Sequence, residues 1–107
     1  MNVPLLDLKA QYSSLKSELD STLLNTAESQ YFILGPEVQK LEGEVNEYLG
    51  SNKAIGVSSG TDALLIALMS IDIKAGDEVI VPTYSFFATA GVVSRLNAVP
   101  VFVDIDP

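Results

Sequence analysis

Apolar residues recur along the first fifty positions at helical spacing. Leu8, Tyr12, Leu15, Leu19 and Leu23 are separated by fours and threes, which sets one apolar stripe on a helix. Lys16, Glu18 and Asp20 fall off that stripe, and Asp7 is placed to cap its start. Leu5-Leu6 before it reads as an extended arm. Tyr31-Phe32-Ile33-Leu34-Gly35 is a short apolar stretch ended by a turn. Pro36 suits the first position of a second helix, with Glu37 in its first turn. Val38, Leu41, Val45 and Tyr48 form its apolar side, Lys40, Glu44 and Glu47 its wet side, and Gly50 its stop.

After Gly50 the period changes. Ala54-Ile55-Gly56-Val57 predicts a short buried strand, and Ser58-Ser59-Gly60 a turn. Thr61 to Ile71 predicts a helix that is apolar almost all round, hence buried on more than one side. Ala75-Gly76-Asp77 is a turn, Val79-Ile80-Val81 a second strand closed by Pro82, Ser85 to Leu96 a helix, and Val101-Phe102-Val103 a third strand. Strand, helix, strand, helix, strand is an α/β pattern with parallel strands. Continuously apolar strands imply helices over both faces. Residues 1–50 therefore read as a helical segment and 51–107 as the α/β part of one domain. A third strand with nothing after it leaves the sheet short of neighbours, so the pattern predicts a truncated chain.

Composition narrows the function classes. The 107 residues suffice for one small domain. Apolar residues make up 48%, too many for a disordered chain. A formal net charge of −8 argues against nucleic acid or an anionic membrane as partner, since both require a cationic face. With no cysteine and no histidine, disulfides, thiolate metal sites, a cysteine nucleophile and a histidine base are all excluded from these residues. The first residues lack a basic stretch followed by an apolar one, and no apolar run approaches a membrane span, so a cytoplasmic protein is expected.

Two stretches carry candidate chemistry. In Val57-Ser58-Ser59-Gly60-Thr61-Asp62-Ala63-Leu64 a strand ends, small residues turn the chain and an apolar helix begins. The first amides of a helix have no internal partners and, with the helix dipole, attract an anion such as phosphate. Gly60 permits close approach, and the Thr61 hydroxyl adds a donor. Ser59-x-x-Asp62 also fits a capping box, and spacing alone favours that plainer reading. The Asp62 carboxylate counts against a phosphate, which would have to use the Asp62 amide while the side chain turns away. The second stretch, Pro82-Thr83-Tyr84-Ser85-Phe86-Phe87-Ala88-Thr89, emerges from the carboxyl end of a strand, where open α/β sheets bind ligands. An aromatic there can stack on a flat heterocycle, although pattern alone slightly favours core packing for Phe86 and Phe87 taken together.

Both stretches belong to a longer series. Ser59-Gly60-Thr61-Asp62-Ala63-Leu64, Gly76-Asp77-Glu78-Val79-Ile80-Val81-Pro82, Tyr84-Ser85-Phe86-Phe87-Ala88-Thr89 and Pro100-Val101-Phe102-Val103-Asp104-Ile105-Asp106-Pro107 closely resemble the DegT/DnrJ/EryC1/StrS family. Pro4-Leu5-Leu6-Asp7-Leu8, Gln11-Tyr12 and Tyr31-Phe32-Ile33-Leu34-Gly35-Pro36-Glu37-Val38 resemble it as well, in the family's order. The resemblance implies the N-terminal part of the large domain of a type I aminotransferase that depends on pyridoxal 5′-phosphate (PLP). That fold has three layers and a mostly parallel sheet. In it the first strand lies across the sheet from the second and third, so Ala54–Val57 is not expected to pair with Val79–Val81.

By the same resemblance, Gly60, Thr61 and Asp62 would hold the PLP phosphate, and Phe86 would stack on the pyridine ring. Tyr31 to Gly35 would lie near the active-site mouth and a homodimer interface. The implied reaction moves an amino group from an amino acid, glutamate expected, to a keto sugar on a nucleotide carrier, in surface-glycan or antibiotic-sugar synthesis. The family's ring-nitrogen aspartate and Schiff-base lysine match nothing here. Lys9, Lys16, Lys40, Lys53 and Lys74 read as solvated face or turn residues, so no catalytic residue is assigned and the chain alone is expected to be inactive. A PLP-dependent sugar dehydratase of the same family and a non-catalytic binding or regulatory fragment remain alternatives. A plain nucleotide-binding module is disfavoured, because Ser58 to Asp62 lacks the glycine spacing of dinucleotide and P-loop sites.

Overall fold

The computed structural model describes residues 5–106. Its elements run α1 (Leu8–Ser29), α2 (Pro36–Leu49), α3 (Gly60–Ser70), β1 (Glu78–Pro82), α4 (Ala88–Arg95) and β2 (Val99–Val103). The chain divides into two compact units, one ending at Gly56 and the other beginning at Val57. Pro4 and Pro107, quoted in the motifs above, lie outside the described residues.

In the first unit, local signals decide where the helices start and stop. The Asp7 carboxylate accepts from Ala10 N at 3.0 Å, capping α1 as its position suggested. Along α1, Lys16 is paired with Asp20 and also reaches the Tyr12 hydroxyl at 3.1 Å. Pro36 opens α2, where its missing N–H costs nothing. Gly50 closes α2 at φ 59°, donating back to the Asn46 and Glu47 carbonyls. Gly35, just before α2, is buried, and a Cβ added there would sit 2.3 Å from the Tyr31 carbonyl oxygen, so the turn admits only glycine.

Residues 54–57 form no strand. A strand needs a neighbour to take up its backbone groups, and here the Gly56 amide instead donates to Glu42 Oε1 on α2 at 2.7 Å. The expected five-element order is thus four elements: helix, strand, helix, strand.

In the second unit, β1 and β2 pair in parallel, with Glu78 opposite Val99 and Pro82 opposite Val103, and α4 makes the crossover between them. Val99 N donates to the Asp77 carbonyl and Thr83 N to the Val103 carbonyl, so the odd-numbered residues of β1 face β2. Pro82 therefore turns its N–H-less nitrogen to the free edge. Helix α4 starts at Ala88, three residues later than expected, because residues 83–87 leave the strand as an irregular turn. The buried residues of this unit among those described are Val81, Ala88, Val92, Val93 and Ala98, with Leu65 and Leu68 of α3 packed against the cluster. Side chains alternate across a strand, so Val79, Val81, Pro100 and Phe102 share the face toward α4. The opposite face carries Ile80, Val99 and Val103, all exposed. Helix α3, expected to be buried on more than one side, has no fully buried residue.

Candidate cofactor site

Ser59, extended at φ −162°, ends the turn, and its hydroxyl oxygen accepts from Asp62 N at 3.1 Å. The Asp62 carboxylate does not complete a capping box by reaching the Ser59 amide. Its Oδ2 accepts from Ser58 Oγ at 2.5 Å and Ser59 Oγ at 2.8 Å. These two hydroxyls, Ser58 first, hold the Asp62 carboxyl below the usual carboxylate range, and the Arg95 charge adds to the effect. The Ala63 amide donates to the Ser59 carbonyl at 2.9 Å. Among the described residues that leaves the amides of Gly60 and Thr61 and the Thr61 hydroxyl without hydrogen-bond partners. A Cβ built on Gly60 meets no atom within 4 Å, so the approach to these amides is open.

A cleft of about 830 Å³ runs from Thr61 past Phe86, Phe87 and one side of α4 to Pro100 and Phe102. Phe86 is 78% exposed and Phe87 83%, so neither ring is in the core, contrary to the reading that pattern alone favoured. They differ in support. A Cβ at Gly91 would come within 3.0 Å of Phe87 Cε1, so the Phe87 ring sits close over the bare backbone of α4 at Gly91. Ser85 Oγ and Thr89 Oγ1, 2.7 Å apart, brace the turn from which Phe86 projects.

Of the four residues singled out in the sequence, Thr61 and Phe86 line one cleft, Gly60 stands open at the helix start, and the Asp62 amide is already engaged. Sequence reasoning missed Ser58 as a partner of Asp62, and Arg95 and Phe102 as walls of the cleft. The alternation Pro100-x-Phe102 was a signal for Phe102, once β2 is known to turn that face to α4. The unpaired donors, the open glycine and the exposed ring all suit a flat heterocycle carrying a phosphate.

The profile of the DegT/DnrJ/EryC1/StrS aminotransferase family matches residues 13–107. The chain belongs to that family. DegT/DnrJ/EryC1/StrS enzymes depend on PLP, and structural neighbours have been solved with PLP or its amino form. Among relatives, a pleiotropic regulatory protein of Geobacillus stearothermophilus is 49% identical over 107 residues, all of this chain and 29% of its own length. The UDP-N-acetyl-3-dehydro-alpha-D-glucosamine 3-aminotransferase of Acidithiobacillus ferrooxidans is 43% identical, over 97% of this chain and 28% of its own. A family aminotransferase from Brucella abortus superimposes with a TM-score of 0.92 at 40% identity, covering 99% of this chain and 28% of that one. The fold is thus that of the family's PLP aminotransferases, and the chain spans less than a third of the length of these relatives.

Proposed function

We propose that this chain is the part of a PLP-dependent sugar aminotransferase that receives the cofactor's phosphate and supports its ring. The reaction served is transfer of an amino group from an amino acid, glutamate by expectation, to a nucleotide-linked keto sugar. Relatives named as nucleotide-sugar aminotransferases support that reading. In it, residues 1–107 form the N-terminal part of one PLP-binding large domain, a cytoplasmic homodimer is the working form, and the 107 residues alone do not turn over.

The observation that carries the proposal is the meeting of Thr61, at the open start of α3, and the exposed aromatic Phe86 in one cleft. The amides of Gly60 and Thr61, with the Thr61 hydroxyl, bind the phosphate at the positive end of α3. Asp62 shares the turn, and its amide reaches the anion only by sharing with Ser59 Oγ. Phe86 would support one face of the pyridine ring and shield it from water. Bound there, PLP supplies the electron sink on which amino transfer depends.

The test is a PLP titration of the full chain followed by amide NMR. The signals of Gly60 and Thr61 shift, and Phe86→Ala weakens binding by about ten-fold, a stacking-sized loss. Phe87→Ala weakens it less, since that ring is spent on Gly91. Unmoved Gly60 and Thr61 signals, or equal losses in the two variants, would overturn the assignment.

A further inference from the structure

A carboxylate in the first turn of a phosphate-binding helix is an electrostatic contradiction: Asp62 and the anion would repel one another across a few ångströms. The hydrogen bonds at the head of α3 show what that carboxylate does instead. Asp62 Oδ2 accepts from Ser58 Oγ at 2.5 Å and from Ser59 Oγ at 2.8 Å. Ser59 Oγ in turn accepts from Asp62 N at 3.1 Å, which closes a ring through the cap residue. A hydroxyl has one hydrogen to donate. With both serine hydrogens committed to Asp62, neither is left for a ligand, and neither side chain is free to swing across the helix start.

We infer that Asp62 is a positioning residue: its carboxylate fastens Ser58 and Ser59, and so reserves the cofactor phosphate for the Gly60 and Thr61 amides and the Thr61 hydroxyl. The inference rests on the cofactor reading above and deepens it. Two features favour it over a plain cap. Asp62 does not reach the Ser59 amide that a capping box would satisfy, and the amides left without protein partners are the two adjacent ones at the helix tip. Arg95, on the wall of the same cleft as Thr61, places a positive charge where it offsets the carboxylate.

The experiment compares the full chain with Asp62→Asn, which keeps an acceptor, and Asp62→Ala, which removes it. Without ligand, the side-chain couplings of Ser58 and Ser59 report one rotamer each in the parent and in Asp62→Asn, and averaging in Asp62→Ala. With ligand, Asp62→Ala binds PLP about five-fold more weakly, the size of one lost ordering hydrogen bond. Pyridoxal, which lacks the phosphate, binds the parent and Asp62→Ala alike, and Asp62→Asn stays within about two-fold of the parent for PLP. Fixed serine rotamers in Asp62→Ala, tighter PLP binding by that variant, or an equal loss for pyridoxal would overturn the role while leaving the cofactor reading standing. Gly60 and Thr61 amides that respond to neither PLP nor inorganic phosphate in the parent would overturn the cofactor reading and this role with it.

Discussion

At the residue scale, the charge of Asp62 has a consequence that a titration can read. The Ser58 and Ser59 hydroxyls donate to the ionised carboxyl, which places its folded pKa below the unfolded one. A group shifted in that direction contributes stability that is complete above the ordinary carboxylate range and is lost as pH falls through the lowered value. The turn before α3 should therefore stay ordered from neutral pH down past the point where exposed aspartates protonate, and loosen only below it. A carboxyl-carbon NMR titration should show Asp62 protonating below the ordinary value of 3.8. A midpoint at or above that value would mean that the serine hydroxyls do not hold it. From the sequence, Ser59 and Asp62 were recognisable as a capping pair, because that signal spans three positions. That Asp62 would accept from Ser58 as well as Ser59 was not, since only the backbone geometry of the turn brings both hydroxyls to one carboxylate oxygen.

At the scale of elements, the helices were legible and the first strand was not, for one physical reason. Asp7, Pro36 and Gly50 act on backbone groups within four residues of themselves, so α1 begins, and α2 begins and ends, where local chemistry says. Ala54–Val57 has strand composition, but a strand exists only with a partner, and the described residues give it Glu42 instead. Phe102 and Arg95 became cleft residues through the β1–β2 register and the position of α4, which no local spacing encodes. Local control also separates two glycines. Gly35→Ala drives a Cβ into the Tyr31 carbonyl and should cost about 1–3 kcal/mol. Gly43→Ala, inside α2 with nothing within 4 Å, should gain about 0.5–1 kcal/mol from helix propensity. Urea midpoints of the two variants should move in opposite directions.

For the whole molecule, the sequence pattern implied strands covered on both faces, whereas the structure covers one. Val93 is 1% exposed and Ile80, on the other face of the sheet, 72%. Val93→Ala should cost about 2 kcal/mol in lost burial and cavity formation. Ile80→Thr should stay within about 0.5 kcal/mol, because its side chain has little to lose. A comparable loss at both positions, read by chemical denaturation, would mean that the outer face is covered in solution. With five buried hydrophobic residues among those described and leucines exposed along α1, the chain should also bind an apolar dye more strongly than a tightly packed domain of its size. The α/β class was readable from the order of segments alone, but the amount of core was not, because burial depends on what lies opposite each face.

The orientation of Pro82 limits how this sheet can grow. A strand added alongside the vacant border of β1 finds hydrogen-bonding groups at Glu78 and Ile80, then meets a residue with nothing to donate. Zippering stops there. The chain from Tyr84 to Phe87 is thereby kept out of a ladder on that side, and the aromatic platform at its end stays available to whatever docks beside the sheet.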